Sequence, residues 1–157
     1  MTPAWVSDWT WGLLLIAMTL VLHAVGLVLI ILALSKPMAL IRSRRGKLSS
    51  ITGAALLIGA AGWMLAVLHG LEAVVWAAAY ALLGAIDSPR DAILYSLDSM
   101  TTRGSPGMTL QPQWQLMGAL ESADGMLLFG ISTAFLFAVL ERVWSLVRPE
   151  GPGKLGE

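Results

Sequence analysis

Hydrophobic positions along the chain fall into three long runs separated by polar breaks. The first extends from about Trp11 to Leu34, enough residues to cross a hydrocarbon core of roughly 30 Å as a helix. Trp5, Trp9 and Trp11 stand before it, where an interfacial aromatic belt belongs. The run is too long for a signal-peptide core and has no small-residue cleavage site behind it, so it reads as a retained helix. The second run, Ile51 to Ile86, would be roughly 54 Å long as one helix. It is either one tilted helix projecting from the outer surface or two short helices broken near His69–Glu72. One helix is preferred, because a single crossing here and another over the third run, about Leu116 to Val147, return the basic C-terminal end to the side of the basic loop. Between these runs, "RDAILYSLDSMTT" (90–102) is too short to span. Asp87, Ser88 and Pro89 form a helix start signal, with Asp91 near the first turn.

The expected fold is therefore all-α and membrane-integral. It has three transmembrane helices, with a re-entrant pore helix and loop between the second and third. Irregular backbone at membrane depth is tolerated only where protein buries it or water meets it. Residues 1–147 form a single membrane domain, with the pore-loop module at 51–147, and 148–157 is expected to be a disordered cytoplasmic tail. No soluble domain and no internal repeat is visible.

Composition sharpens this picture. Residues are 57% hydrophobic and only 13% charged, about half the charged share of a soluble domain. The net charge of zero hides segregation along the chain. Lys36, Arg42, Arg44, Arg45 and Lys47 cluster without an acid, which places that loop in the cytoplasm and the N-terminus outside. Such a cluster also suits contact with anionic lipid headgroups. No cysteine is present, which excludes disulfides, thiolate metal sites and thiol chemistry. No nucleophile–base pair, phosphate loop or nucleotide motif stands out, so neither enzyme activity, nor a cofactor, nor nucleic-acid binding is expected.

The polar stretch "SMTTRGSPGM" (99–108) carries the most informative pattern. Two spans flanking a short helix, with Thr-Thr-x-Gly after it, resemble the pore module of potassium channels. More specifically, the chain is similar to small bacterial potassium-channel-like proteins of the pore-loop ion-channel family. The matching pieces are "TLVLHAVGLVL", "VLHGLEAVVWAAAYALLGAI", "AILYSLDSMTT" and "WQLMGALESADGMLLFGISTAFLFAVLERVW", in that order over most of residues 13–144. The resemblance implies a pore loop, a bacterial cytoplasmic membrane and a homotetramer in the lipid bilayer. The filter-equivalent positions are Thr101, Thr102, Arg103, Gly104, Ser105, Pro106 and Gly107. Where relatives read Thr-Thr-x-Gly-Tyr-Gly-Asp, this chain has Ser105 for the tyrosine, Pro106 for the second glycine and Gly107 for the acid.

These departures damage a potassium filter, which replaces the hydration shell with rings of backbone carbonyls. Pro106 fixes its own φ and restricts Ser105. Arg103 is permanently charged. Four copies around an axis would repel cations, and a copy turned away from the axis needs an acidic partner. Asp98 is nearest in sequence, with Asp91 and Asp124 as others. The expected function is a channel-like protein with a degenerate filter, not selective for potassium. The alternatives are a non-conducting subunit of a larger membrane complex and an intramembrane metal-binding protein. Anion passage past a ring of arginines ranks lowest, because no other basic residue lies near the loop.

Ionisable residues inside spans are candidates for function. His23, His69, Glu72, Glu121 and Asp124 qualify. His69 and Glu72 are three apart, as are Glu121 and Asp124, so each pair shares a helix face. His69, Glu72, Glu121 and Asp124 have the ligand types for a divalent metal in a helix bundle. The plainer expectation is hydrogen bonding across helices. The resemblance implies that too, since the family pattern is similar at His23, His69, Glu72 and Glu121 where the filter is intact. Trp76, Trp114 and Trp144 read as belt residues near the interfaces.

Overall fold

A computed structural model describes residues 3–43, 47–104 and 107–147. Ser105, Pro106, Arg44, Arg45 and the tail expected at 148–157 lie outside the described residues. The described chain is helical throughout its elements: α1 (Pro3–Ser43), α2 (Lys47–Leu82), α3 (Pro89–Met100), a 3₁₀ turn at Pro112–Trp114 and α4 (Gln115–Val147). Stretches of α1, α2 and α4 are long and apolar enough to cross a membrane. These three pack on one another, and α3 packs against α2 and α4.

Two helix ends differ from the sequence expectation. α1 begins at Pro3 rather than near Trp11 and runs past Leu34 to Ser43. Nothing in the tryptophan-rich start breaks a helix. Pro37, which removes the hydrogen bond to the Ala33 carbonyl, sits inside α1 without ending it. The second run is one helix, ending at Leu82. Its end is a Schellman cap: Gly84 has φ +64°, its N–H donates to the Ala81 carbonyl (3.2 Å), and Ala85 N–H donates to Tyr80 (2.8 Å). Ser88 then caps α3, its hydroxyl oxygen accepting from Asp91 N–H (3.4 Å), with Pro89 in the first turn.

The bundle is apolar outside and divided inside. Leu14, Val21, Leu29, Leu32, Leu56 and Trp63 are exposed large hydrophobics, as faces turned to lipid require. One half of the interior, at the α1–α2 turn, is purely hydrophobic: Ile30, Leu34, Leu57, Leu65, Val139 and Val143 pack there. The other half mixes Leu15, Trp76, Tyr80 and Met117 with buried carboxylates. There α4 starts on a cap lent by another helix. Asp8 of α1 accepts from the backbone N–H groups of Leu116 and Met117, each at 3.0 Å, where a helix N-terminus favours negative charge.

Small residues set the closest approaches. Gly12 faces Leu120, Gly26 faces Leu68, and on α4 Gly118 and Gly125 receive α3. A β-carbon at Gly125 would run into the backbone of Met100, which cannot swing aside as a side chain can. A β-carbon at Gly130 meets nothing. Gly125→Ala is therefore expected to destabilise the protein by about 1–3 kcal/mol through overpacking. Gly130→Ala should be neutral or stabilise by up to about 1 kcal/mol through helix propensity. Thermal unfolding of the two variants in detergent, measured side by side, checks the opposite signs.

Candidate functional site

The descent of α3 organises the region. Ala92 packs beside Ala85 near the end of α2. Further along, the Ser96 hydroxyl reaches the Ala73 carbonyl (2.8 Å), and Met100 packs with Ala73 and Leu128. The chain then returns, so that Gln111 N–H donates to the Ala85 carbonyl (3.4 Å). The segment thus leaves the end of α2, reaches a level about two turns down it, and comes back to where it began.

Beyond the C-terminal end of α3 lie Thr101–Gly104, the described start of the stretch singled out from the sequence. Thr101 caps α3, and Thr102 takes φ +56°. Thr102 N–H donates to the Ser99 carbonyl (2.9 Å), and Arg103 N–H donates to Asp98 (3.0 Å). This is the same Schellman arrangement that ends α2, with a threonine where α2 uses Gly84. A β-branched residue at positive φ is an outlier. Gly104 and Gly107 also have positive φ, at +74° and +82°. Arg103 turns back along α3: its Nε lies 3.0 Å from Asp98 Oδ1 and its Nη2 3.4 Å from Oδ2. Of the three acids considered as its partner, the structure selects Asp98. The arginine side chain is 70% exposed, so the pair is at a surface and not buried. Thr101, Thr102, Arg103 and Gly104 are all exposed. An open cleft of about 330 Å³ lies between Tyr95, Ser99, Thr102, Leu110 and Ser122.

Above and beside α3 the buried polar groups form two clusters. Glu121 accepts a hydrogen bond from the Tyr80 hydroxyl at Oε2 (2.6 Å), and its Oε1 is bonded to Ser96. Ser96 also contacts the Ala73 carbonyl. A hydroxyl has one hydrogen, so both Ser96 contacts are satisfied only when Glu121 carries a proton and donates it to Ser96. Asp124 Oδ2 accepts from the Thr19 hydroxyl (2.7 Å) and from the Trp76 indole N–H (3.0 Å).

The second cluster joins α1, α2 and α4. His23 Nδ1 lies 2.7 Å from Glu72 Oε1, and His69 Nδ1 lies 3.0 Å from Glu72 Oε2. Ser132 Oγ lies 2.9 Å from His69 Nε2 and 3.3 Å from His23 Nε2. Glu72 bridges the two imidazoles on one side and Ser132 bridges them on the other. His69 stacks on Phe129 with centroids 4.2 Å apart.

The four metal candidates named from sequence are therefore split. Glu121 and Asp124 are engaged by Tyr80, Ser96, Thr19 and Trp76, while His69 and Glu72 gather with His23 instead. Trp76 is a correction: it is fully buried and donates to Asp124, while Trp5, Trp9, Trp11 and Trp144 are exposed and Trp114 is half-buried. Asp8, Thr19, Tyr80, Ser96 and Ser132 were missed as site residues. One signal was available for some of them. Glu72, Trp76 and Tyr80 recur every four residues along α2, as a polar stripe would. No protein-family model, no curated protein and no solved structure matches the chain.

Two predictions follow from this geometry. Glu121→Gln preserves both bonds, because an amide N–H can donate to Ser96 while its oxygen accepts from Tyr80. Its stability is expected to stay within about 1 kcal/mol of the native protein, whereas Glu121→Leu strands the Tyr80 hydroxyl, Ser96 keeping the Ala73 carbonyl, and loses about 2 kcal/mol. Detergent melting curves of both variants make the comparison. Thr102→Gly relieves the left-handed strain and is expected to stabilise by about 1 kcal/mol, read as a higher unfolding midpoint.

Proposed function

We propose that this protein is a channel-like membrane protein in which α3 and the following loop form a re-entrant pore-loop element whose filter does not select potassium. The supporting observation is the excursion itself. A helix leaves the end of one spanning helix, reaches Ala73 and Gly125 within the bundle, and returns to Ala85 before the next spanning helix starts. The described residues of the loop at its tip support a filter that does not select potassium. Thr101 and Thr102 are taken up in a helix cap, not an extended row of carbonyls, and an arginine fork occupies the next position. By this proposal four copies assemble around the loops in a bacterial inner membrane, with the N-terminus outside and the C-terminus in the cytoplasm.

A second reading, a non-conducting subunit of a larger membrane complex, is favoured by one observation. Among the described residues, the buried polar groups stop at Ser132 and His69, and the packing beyond them is hydrophobic. The described part of a single chain then offers no polar route across.

The test is ion flux into liposomes bearing the purified protein, with potassium, sodium and chloride compared against empty vesicles, together with native mass spectrometry in detergent. The expected result is a tetramer whose potassium flux does not exceed its sodium flux. Potassium-selective flux would overturn the degenerate-filter proposal. A folded monomer with no flux, in the native form and in Arg103→Leu alike, would overturn the pore reading and leave the subunit reading.

A further inference from the structure

The cluster of His23, His69, Glu72 and Ser132 is not used by the channel-like proposal. Its atoms do not close as a set of hydrogen bonds. Among the described residues, the buried side-chain nitrogen and oxygen atoms without a hydrogen-bond partner are His69 Nδ1, Glu72 Oε2 and Asp124 Oδ1. Glu72 is fully buried and Asp124 almost so. His69 Nδ1 and Glu72 Oε2 are 3.0 Å apart, yet neither is directed at the other as donor to acceptor. Two unpartnered donor atoms side by side at this separation are placed as neighbouring ligands of one ion. Ligands held at about 2.0–2.1 Å from a metal sit about 3 Å from each other.

Ser132 meets the same two imidazoles from their other side, its Oγ 2.9 Å from His69 Nε2 and 3.3 Å from His23 Nε2. With each Nδ1 turned to the Glu72 side, each Nε2–H can donate to Ser132 Oγ, which has two lone pairs. Such an outer partner is what orients metal-bound histidine.

We propose that His23, His69 and Glu72 form an intramembrane site for a divalent first-row transition metal, with Ser132 orienting the imidazoles. One ligand atom from each of the three residues lies within 4.8 Å of the others. Imidazole and carboxylate donors without thiolate suit zinc and its neighbours over calcium or magnesium. The ion would tie α1 to α2 at the floor of the polar half. The proposal stands apart from the channel-like one, and neither depends on the other.

The test uses the full-length, tag-free protein in detergent, stripped with a chelator and titrated with zinc. His23 and His69 are the only histidines and no cysteine is present, so competing soft-ligand sites are absent from the chain. About one zinc per chain is expected, with visible ligand-field absorption when cobalt(II) replaces it. Glu72→Gln keeps the hydrogen bond with His23 Nδ1, since its amide oxygen can accept from that nitrogen, and so should stay folded. It is expected to weaken zinc binding at least tenfold. Ser132→Ala, which leaves all three ligands, should weaken it about 10–100-fold. Folded native protein that binds no zinc at micromolar concentration would overturn the site, as would Glu72→Gln binding zinc as tightly as the native chain.

Discussion

Three carboxylates, Glu72, Glu121 and Asp124, lie inside helices whose outer faces are hydrocarbon, and each is fully or almost fully buried. Water cannot reach them to solvate their charge, so partners within the protein must. This constraint sets the register of the bundle. Glu72 is met by His23 of α1, Asp124 by Thr19 of α1 and Trp76 of α2, and Glu121 by Tyr80 of α2 and Ser96 of α3. A slide of α4 by one turn against α2 would break two of these sets at once. Interhelical hydrogen bonds in membranes average only about 0.6 kcal/mol each. Their contribution lies less in total stability than in making every other register costly.

The same constraint divides the interior. Polar groups occupy the half that α3 enters, and beyond Ser132 the packing is Leu, Ile, Val and Ala. α3 needs the polar half because its Ser96 and Met100 backbone sit directly on α2 and α4. Its far side shows Ile93, Leu94 and Leu97 exposed, an apolar face that lipid or further protein must cover.

The helices themselves were legible in the sequence, because the runs are long and apolar and the Ser88-Pro89 start is a strong local signal, whereas the stop at Gly84 was passed over in taking the second run to Ile86. Helix ends were less so. Residues such as Trp5 and Lys36 mark the membrane interface, and a helix crosses that boundary without needing to end there. The identities of buried polar residues were legible by their rarity, but their partners were not. Which hydroxyl meets which carboxylate depends on how three helices are rotated and slid, and single-helix spacing says nothing of that. Trp76 shows the ambiguity: an indole near a span end serves equally as an interface anchor or an internal donor, and only Asp124 opposite it decides.

The loop tip joins these strands of reasoning. α2 and α3 end with the same backbone device, but α2 uses Gly84 and α3 uses Thr102 at positive φ. A strained threonine persists only where its surroundings over-determine it. Here Met100 is pinned against Gly125 on one side and the Arg103 fork holds Asp98 on the other. That fork also cancels the only acid at the tip. A selective pore needs either ordered carbonyls or an unbalanced ring of charge. On the channel-like proposal, the Schellman turn would remove the first at Thr101 and Thr102, and the Arg103–Asp98 pair the second. The same pairing would count equally against a ring of arginines passing anions, since the guanidinium already faces its own carboxylate.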